Sequence, residues 1–294
     1  FDDPASLRAP LQSTCETLQI TGSLLLAAEG INGTVAGSAS NIAALLKTLR
    51  ALPGCAALEH KESTTTLPPF PRMKVKLKKE IVTMGVEKLD SEAFSGEYVE
   101  PDKWNELISD PDVLVIDTRN DYEVSIGSFD NAVDPGLKTF KEFPQWADKN
   151  LHTKKNKKIA MFCTGGIRCE KATSYLVKKG YDNVFHLEGG ILKYLETIPE
   201  KDSTWLGDCF VFDQRVALEH GLSPGKYKMC HACRLPLNPE DLKSKKYQSG
   251  ISCPKCFGSH TPEQQKRFKE RQHQVELARK RGVTHIGTIP GKRS

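Results

Sequence analysis

Hydrophobic and polar positions over the first 85 residues follow helical and strand-like periods in turn. The predicted elements are, in order, a helix over 4–18, a strand over 22–28, a hairpin turn over 29–33, a strand over 34–36, a helix from the N-caps Ser38 and Ser40 to Pro53 and Gly54, and strands near 57–60 and 72–82. With one more strand before Phe1, this order predicts a ferredoxin-like (acylphosphatase-like) α+β module over residues 1–85. We therefore expect the natural chain to start upstream of Phe1.

Residues 86–205 alternate short apolar strands with amphipathic helices. The predicted order is a helix over 104–108, a strand over 113–116, a helix over 140–146, a strand over 159–162, a helix over 171–179 and a strand over 184–187. This pattern predicts an α/β domain with a parallel sheet covered on both faces. Chemistry in such sheets lies beyond the carboxyl ends of the strands, and Cys163 follows one of them directly. Residues 86–205 are thus the predicted catalytic domain, and residues 206–294 the C-terminal region.

A chain of 294 residues with 38% hydrophobic and 27% charged residues is typical of a globular protein with two or three domains. No apolar run approaches the roughly 18 residues that a membrane span requires, and no signal peptide opens the chain. We therefore expect a cytoplasmic protein without a membrane partner.

The nine cysteines are expected to be reduced thiols with chemical roles, because no signal peptide precedes them. Four of them form two CxxC pairs separated by 19 residues: Cys230 with Cys233, and Cys253 with Cys256. This spacing predicts a tetrahedral zinc site. Four thiolates leave no open position for a substrate, so the predicted zinc is structural. Free thiols in a loop are the alternative.

The candidate reactive loop runs through Cys163, Thr164, Gly165, Gly166, Ile167 and Arg168. Its two glycines allow backbone conformations that aim successive N–H groups at one centre, and the following helix adds the positive end of its dipole. Arg168 adds a permanent charge and forked donors. Together these groups predict a thiolate or persulfide at Cys163 within an anion-binding loop, with Arg168 as its catalytic partner. A buried structural cysteine is the alternative, and Cys169 is expected to pack in the helix unless it serves as a resolving thiol.

Positive charge is unevenly distributed along a chain whose net charge is +5. One cluster alternates with apolar residues, as the solvent-facing side of a strand does: Arg72, Lys74, Lys76, Lys78 and Lys79. The other lies in residues 261–294, which contain nine basic and three acidic residues. A helix over 262–281, capped by Thr261 and ended by Gly282, is predicted there. It would present three further candidates for RNA contact: Lys266, Arg267 and Arg271. Both clusters are candidate phosphate-binding surfaces, with plain solvated faces as the alternative.

The reactive loop resembles that of the rhodanese superfamily, whose pattern Cys-x-x-Gly-x-Arg is matched by Cys163, Gly166 and Arg168. Related phosphatases use Cys-x5-Arg to surround a phosphate. The residue six positions after Cys163 is Cys169, which weakens a phosphatase assignment. The resemblance implies a rhodanese domain at the centre of the chain.

Residues 116–123 resemble the upstream motif of the same superfamily, and Ser128 stands where that motif usually carries His. Three charged residues of the segment are expected to fix the loop and the sheet through ion pairs rather than to react: Asp117, Arg119 and Glu123.

Three longer segments indicate a resemblance to one family within this superfamily: 27–35, 74–85 and 161–172. They recur together in the rhodanese-domain tRNA uridine hydroxylases, and the likeness extends through 189–194 and 209–216 towards the C-terminal cysteines. This resemblance implies oxygen-dependent 5-hydroxylation of the wobble uridine, position 34, of tRNA. It further implies tRNA as a partner and molecular oxygen as a cosubstrate.

The residues alone do not predict hydroxylation, since the sequence contains no flavin fingerprint, no haem attachment motif and no two-histidine-one-carboxylate iron motif. One hypothesis is that Cys163 adds to C6 of the pyrimidine and makes C5 electron-rich. Sulfur transfer through a Cys163 persulfide is an alternative reaction that the same loop permits. A nonenzymatic RNA-binding protein would require a vestigial loop, and the loop retains the full superfamily pattern.

Overall fold

The computed structural model describes residues 1–65, 68–86, 96–154 and 156–282. The chain divides into two compact units, one of residues 1–81 and the described part of 227–294, and the other of residues 82–226. The predicted domain boundaries after residues 85 and 205 stay predictions. Among the described residues, no helix combines the length and the apolar character needed to cross a membrane.

The N-terminal part of the first unit has a helix–strand–strand–helix–strand order: α1 (Pro4–Thr17), β1 (Thr21–Ala27), β2 (Gly30–Ala36), α2 (Ala39–Arg50) and β3 (Met73–Leu77). This order confirms the prediction. The Ser38 side chain caps α2, as expected for a serine at a helix start. β1 and β2 form a hairpin in which Ala27 pairs with Gly30, so the turn is tighter than the predicted 29–33.

β3 runs parallel to β1 and completes a sheet in the order β2-β1-β3. Val75 points into the core between the sheet and the helices, whereas Lys74 and Lys76 are exposed. The other edge of β3 is covered by α1, because Gln12 Oε1 accepts from Val75 N at 2.9 Å and Arg8 Nε donates to Val75 O at 3.2 Å. Because Val75 faces the core, the basic side chains on either side of it in β3 face solvent.

The prediction of a strand near residues 57–60 is wrong. The structure describes this whole segment, which consists of turns and irregular chain, and Leu58 N donates to Cys55 O at 3.0 Å. Leu58 packs against the N-terminal core as a loop residue, so its burial does not require a strand. The strand predicted over 72–82 is present but ends at Leu77.

The second unit alternates strands and helices: β4 (Glu97–Val99), α3 (Pro101–Ser109), β5 (Val113–Asp117), α4 (Asp121–Val124), β6 (Gly127–Phe129), α5 (Phe143–Asn150), β7 (Lys158–Phe162), α6 (Ile167–Lys178), β8 (Val184–Leu187), α7 (Gly190–Thr197), β9 (Trp205–Gly207), β10 (Cys209–Phe210) and β11 (Ala217–Leu218). A parallel sheet has the order β4-β8-β7-β5. One hydrophobic cluster packs between this sheet and α5 and α6, and another packs on the opposite face with α3 and α7. The predicted parallel sheet covered on both faces is confirmed.

The C-terminal part of the first unit contains β12 (Lys228–Met229), β13 (Pro236–Leu237), α8 (Pro239–Lys243) and α9 (Pro262–Lys280). Thr261 Oγ1 caps α9 by accepting from Gln264 N at 3.3 Å. The helix ends before Gly282, whose φ of 70° is readily adopted by glycine. Both ends agree with the helix predicted over 262–281.

Candidate active site and metal centre

Cys163 is the first residue after β7, at the carboxyl edge of the parallel sheet. The first turn of α7 fixes its backbone, because Ile191 N donates to Cys163 O at 3.0 Å and Leu192 N donates to Thr164 O at 3.1 Å. Cys163 is 1% exposed. A structural cysteine would also be buried, so the groups around its sulfur decide its role.

Hydrogen-bond donors converge on the Cys163 sulfur. Gly166 N donates to Cys163 Sγ at 3.1 Å. The amides of Arg168 and Cys169 lie in the first turn of α6, which begins at Ile167, earlier than the predicted helix, and they help to lower the pKa of this sulfur. Burial opposes ionisation of Cys163, but the Cys169 thiol, the Arg168 charge and these amides lower its pKa to about 5. The lowered pKa favours the thiolate form of Cys163 at neutral pH, and the catalytic role of this residue stays a prediction.

Cys169 lies behind Cys163 in the same core. Burial and the hydrogen bond to Cys163 raise the pKa of Cys169, so this thiol keeps its proton beside the thiolate. Thr118 Oγ1 lies 3.5 Å from Cys169 Sγ and 3.0 Å from Phe162 O. Cys169 packs in its helix, as expected, and its protonated thiol lowers the pKa of Cys163.

Arg168 and Glu123 form a buried bidentate ion pair. The Nη1–Oε2 and Nη2–Oε1 distances are both 2.7 Å. Thr164 Oγ1 joins the pair, 3.1 Å from Arg168 Nη2 and 3.2 Å from Glu123 Oε1. Burial would raise the pKa of Glu123, but the charge and hydrogen bonds of Arg168 lower it. The forked donors of Arg168, predicted to face an anion, thus face Glu123, and Arg168 acts on Cys163 through its charge.

A second buried ion pair lies beside the first. Arg119 Nε and Nη2 donate to the two carboxylate oxygens of Asp117 at 2.9 and 2.6 Å, and both side chains have 0% exposure. Ser128 Oγ donates to Asp117 Oδ2 at 2.9 Å. The ion pairs expected of Asp117, Arg119 and Glu123 are therefore present.

Gly190 is a part of the site that the sequence did not indicate. Its φ is 67°, and a Cβ atom there would lie 2.5 Å from Cys163 O, 2.7 Å from Gly166 N and 2.8 Å from Gly165 N. Only glycine lets α7 approach the reactive loop this closely. The pair Gly189-Gly190 ahead of an apolar helix was the available signal.

The four predicted zinc ligands come together. Their sulfur atoms all lie within 4.8 Å of one another, with distances of 3.9 Å for Cys230–Cys256, 3.7 Å for Cys233–Cys253 and 3.6 Å for Cys253–Cys256. Zinc–sulfur bonds of about 2.3 Å in a tetrahedron separate the sulfurs by about 3.8 Å. The cluster therefore fits a tetrahedral metal ion such as zinc.

The basic residues around β3 lie in solvent: Arg72, Lys74, Lys76, Lys78 and Lys79. Partial burial lowers the pKa of Lys74, and the positive charges of Arg72, Lys76 and Arg234 lower it further. Arg234 is exposed and follows Cys233 of the four-cysteine cluster. This arginine extends the basic surface, which the sequence did not indicate because it lies more than 150 residues from β3.

The predicted RNA-binding residues of α9 differ in their surroundings. Lys266 and Arg267 are exposed. Arg271 donates to Gly250 O at 2.7 Å, and its guanidinium lies 5.1 Å from the centre of the Phe268 ring. Arg271 thus links α9 to the loop that carries the second cysteine pair.

The fold and the reactive loop define a rhodanese-like protein: residues 100–197 match the family model described as a rhodanese-like domain. Residues 1–81 match the model described as a UPF0176 acylphosphatase like domain. The predicted combination of an acylphosphatase-like module with a rhodanese domain is confirmed.

Two relatives match nearly the whole chain. The tRNA uridine(34) hydroxylase of Teredinibacter turnerae is 58% identical over 96% of this chain and 88% of its own length. The protein of the same name from Rhizobium leguminosarum bv. trifolii is 56% identical over 96% of this chain and 92% of its own length. The chain belongs to the tRNA uridine(34) hydroxylase family. Among solved structures, a rhodanese-related protein of Thermoplasma volcanium matches 34% of this chain and 91% of its own at 24% identity, with a TM-score of 0.28.

Proposed function

We propose that this protein hydroxylates carbon 5 of uridine 34 in tRNA, with molecular oxygen as cosubstrate and Cys163 as the catalytic residue. The observation that carries the proposal is a cysteine with a pKa of about 5 whose sulfur accepts a hydrogen bond from Gly166 N at 3.1 Å. The names of relatives up to 58% identical support the substrate and the reaction. A tRNA substrate also supports the cytoplasm as the compartment.

The Cys163 thiolate can activate the uracil ring by addition. Its electron pair forms a bond to C6, and the C5–C6 π electrons move towards O4, which makes C5 nucleophilic. After C5 gains an oxygen atom, loss of the C5 proton and expulsion of Cys163 restore the double bond. Molecular oxygen supplies that atom, and its second atom leaves as water by taking two electrons and two protons from an external reductant.

The residues around Cys163 have distinct roles in this scheme. The N–H group of Gly166 stabilises the anionic sulfur before addition and again after expulsion. Arg168 supplies a fixed positive charge, and Glu123 and Thr164 hold its guanidinium in place. Cys169 donates its S–H to the thiolate.

Two surfaces of the first unit suit the phosphates of tRNA. The first consists of the exposed basic residues around β3 together with Arg234, and the second of Lys266 and Arg267 on α9. Arg271 adds positive charge to the second surface and also binds α9 to the loop that contains Gly250. Affinity for RNA is expected to fall with rising salt, with a log–log slope of roughly −0.7 for each phosphate neutralised on a single strand.

The four-cysteine cluster supports a structural zinc ion. Its sulfur spacing fits a tetrahedron that is closed by protein ligands, which leaves no position for a substrate. Zinc bound there would stabilise the fold of the C-terminal region and would take no part in the reaction.

Sulfur transfer is the alternative function, and the rhodanese-like match over residues 100–197 favours it. The donors around Cys163 would stabilise a persulfide as well as a thiolate. In that reaction Cys163 would take a sulfane sulfur from a donor and pass it to an acceptor, and uridine would gain no oxygen.

Nucleoside analysis of tRNA tests the proposal. A strain without the gene should lose 5-hydroxyuridine and its derivatives, and the wild-type gene should restore them. Cys163→Ser should not restore them, whereas Cys55→Ala, which changes a cysteine of the other unit, should. Loss of thiolated nucleosides with intact 5-hydroxyuridine would favour sulfur transfer instead.

A further inference from the structure

Three aromatic side chains of the second unit form a row that ends in solvent. The ring centroids of Tyr122 and Phe210 are 5.2 Å apart, and those of Phe210 and Phe212 are 5.1 Å apart. Both contacts are edge-to-face. Phe210 is 2% exposed, whereas Phe212 is 62% exposed. The row therefore leads from the interior to one free aromatic ring.

The Tyr122 end of this row lies next to residues that hold the reactive loop in place. Tyr122 precedes Glu123 in α4, and Glu123 binds both Arg168 and Thr164. The Tyr122 hydroxyl accepts from Asn120 Nδ2 at 3.1 Å, which restrains the ring. The aromatic row is thus continuous with the residues that position Arg168.

The hairpin between β10 and β11 holds Phe212 in its exposed position. Val211 N donates to Val216 O at 2.9 Å and closes the loop. Arg215 Nε and Nη2 donate to Asp213 at 3.0 and 2.6 Å. The residues on either side of Phe212, Val211 and Asp213, are both buried. The backbone therefore fixes the Phe212 ring outside the core.

We propose that Phe212 is a stacking platform for a nucleobase next to the target uridine in the single-stranded anticodon loop of tRNA. This inference rests on the proposed function. The uridine must leave the base stack to reach Cys163, which is 1% exposed, so its neighbour loses a stacking partner. An exposed aromatic ring replaces that partner for any base.

The chemistry around Phe212 fits a base better than a protein partner. The ring stands between buried residues, and the next exposed residue along the hairpin is the polar Gln214. One exposed ring offers far less apolar area than the roughly 800 Å² that each side of a stable protein interface buries. Stacking on a single base needs only one ring.

Binding of an unmodified anticodon stem-loop RNA tests the platform. Phe212→Ala and Phe212→Leu should raise the Kd about fivefold or more, because a lost base–aromatic stack costs roughly five- to 150-fold in affinity. Phe212→Trp should keep the Kd within about threefold, and the stem-loop should quench its added fluorescence. Leu206→Ala is the matched control, since Leu206 is 60% exposed in the same unit, and it should bind as the wild type does.

The outcomes separate this inference from the proposed function. If the wild type hydroxylates the stem-loop and Phe212→Leu binds and reacts equally well, Phe212 is not a stacking platform and the proposed function stands. If the wild type does not hydroxylate the RNA, the proposed function fails whatever Phe212 contributes. Phe212→Leu keeps an apolar contact with Phe210, so its defect would report the lost ring rather than misfolding.

Discussion

Arg168 and Glu123, 45 residues apart in the chain, meet in a bidentate ion pair whose two N–O distances are both 2.7 Å. Glu123 has no exposed surface and the Arg168 side chain very little, so each charge depends on the other. The pair sets a positive charge beside the Cys163 sulfur without exposing that charge to water. The reactive loop therefore depends on α4 as well as on its own glycines.

Glu123→Gln should destabilise the second unit, because it removes the carboxylate that accepts both hydrogen bonds from the buried Arg168 guanidinium. We expect the free energy of unfolding to fall by about 3–5 kcal/mol in urea denaturation followed by circular dichroism. Asp110→Asn is the control, since it breaks only the partly exposed Asp110–Lys158 pair and should change little. Wild-type stability of Glu123→Gln would contradict the role given to the buried pair.

Cys169→Ala should raise the pKa of Cys163, because it removes the thiol whose hydrogen bond lowers that pKa. Cys169→Ser keeps a donor and should preserve most of the lowered pKa. The thiolate absorbance near 240 nm, recorded against pH and corrected with the matching Cys163→Ser variants, measures the change. Equal pKa values in Cys169→Ala and the wild type would leave Cys169 with a packing role alone.

Gly190→Ala should disrupt the reactive loop, because its Cβ would lie 2.5 Å from Cys163 O. We expect at least a hundredfold loss of kcat/KM for hydroxylation. Gly136→Ala is the matched control, since Gly136 also has a φ of 67° but a Cβ there meets no atom within 4 Å, and it should retain most of the activity. A Gly190→Ala enzyme as active as Gly136→Ala would show that α7 does not need to contact the loop this closely.

The purified protein should contain about one zinc ion per chain, released by titrating the cysteines with a mercurial and measured with a chromogenic chelator. Cys253→Ser should lose the metal and make the region over 227–282 sensitive to protease, because structural zinc stabilises the fold around it. Cys15→Ala changes a cysteine outside the cluster and should keep the metal. Zinc retained after substitution of two cluster cysteines would exclude this site.

Features that depend on neighbouring residues in the sequence were predictable. Cys163 follows an apolar strand and precedes two glycines, and α9 has a threonine cap and a terminal glycine. The spacing of the CxxC pairs likewise indicated the cysteine cluster. Local hydrogen-bonding and steric preferences decide each of these features, so the sequence indicates them without knowledge of the fold.

Features that depend on tertiary contacts were not predictable. The Arg168–Glu123 ion pair joins residues that are distant in the chain. Position 190 requires glycine only because α7 contacts the reactive loop there. The strand expected near 57–60 illustrates the opposite error. Leu58 is apolar because it packs on the core from a turn, and its short apolar run does not distinguish a loop from a strand.

The pH dependence of Cys163 alkylation tests the central claim most directly, with iodoacetamide as reagent and mass spectrometry of the Cys163 peptide as readout. A lowered pKa means that the thiolate is present above about pH 5 and is lost as the pH falls through that value. The rate should therefore rise with a midpoint near pH 5 and stay level through neutrality, whatever the access of the reagent to the sulfur. A midpoint near 9.0, the ordinary value for a cysteine, would contradict a catalytic thiolate at Cys163.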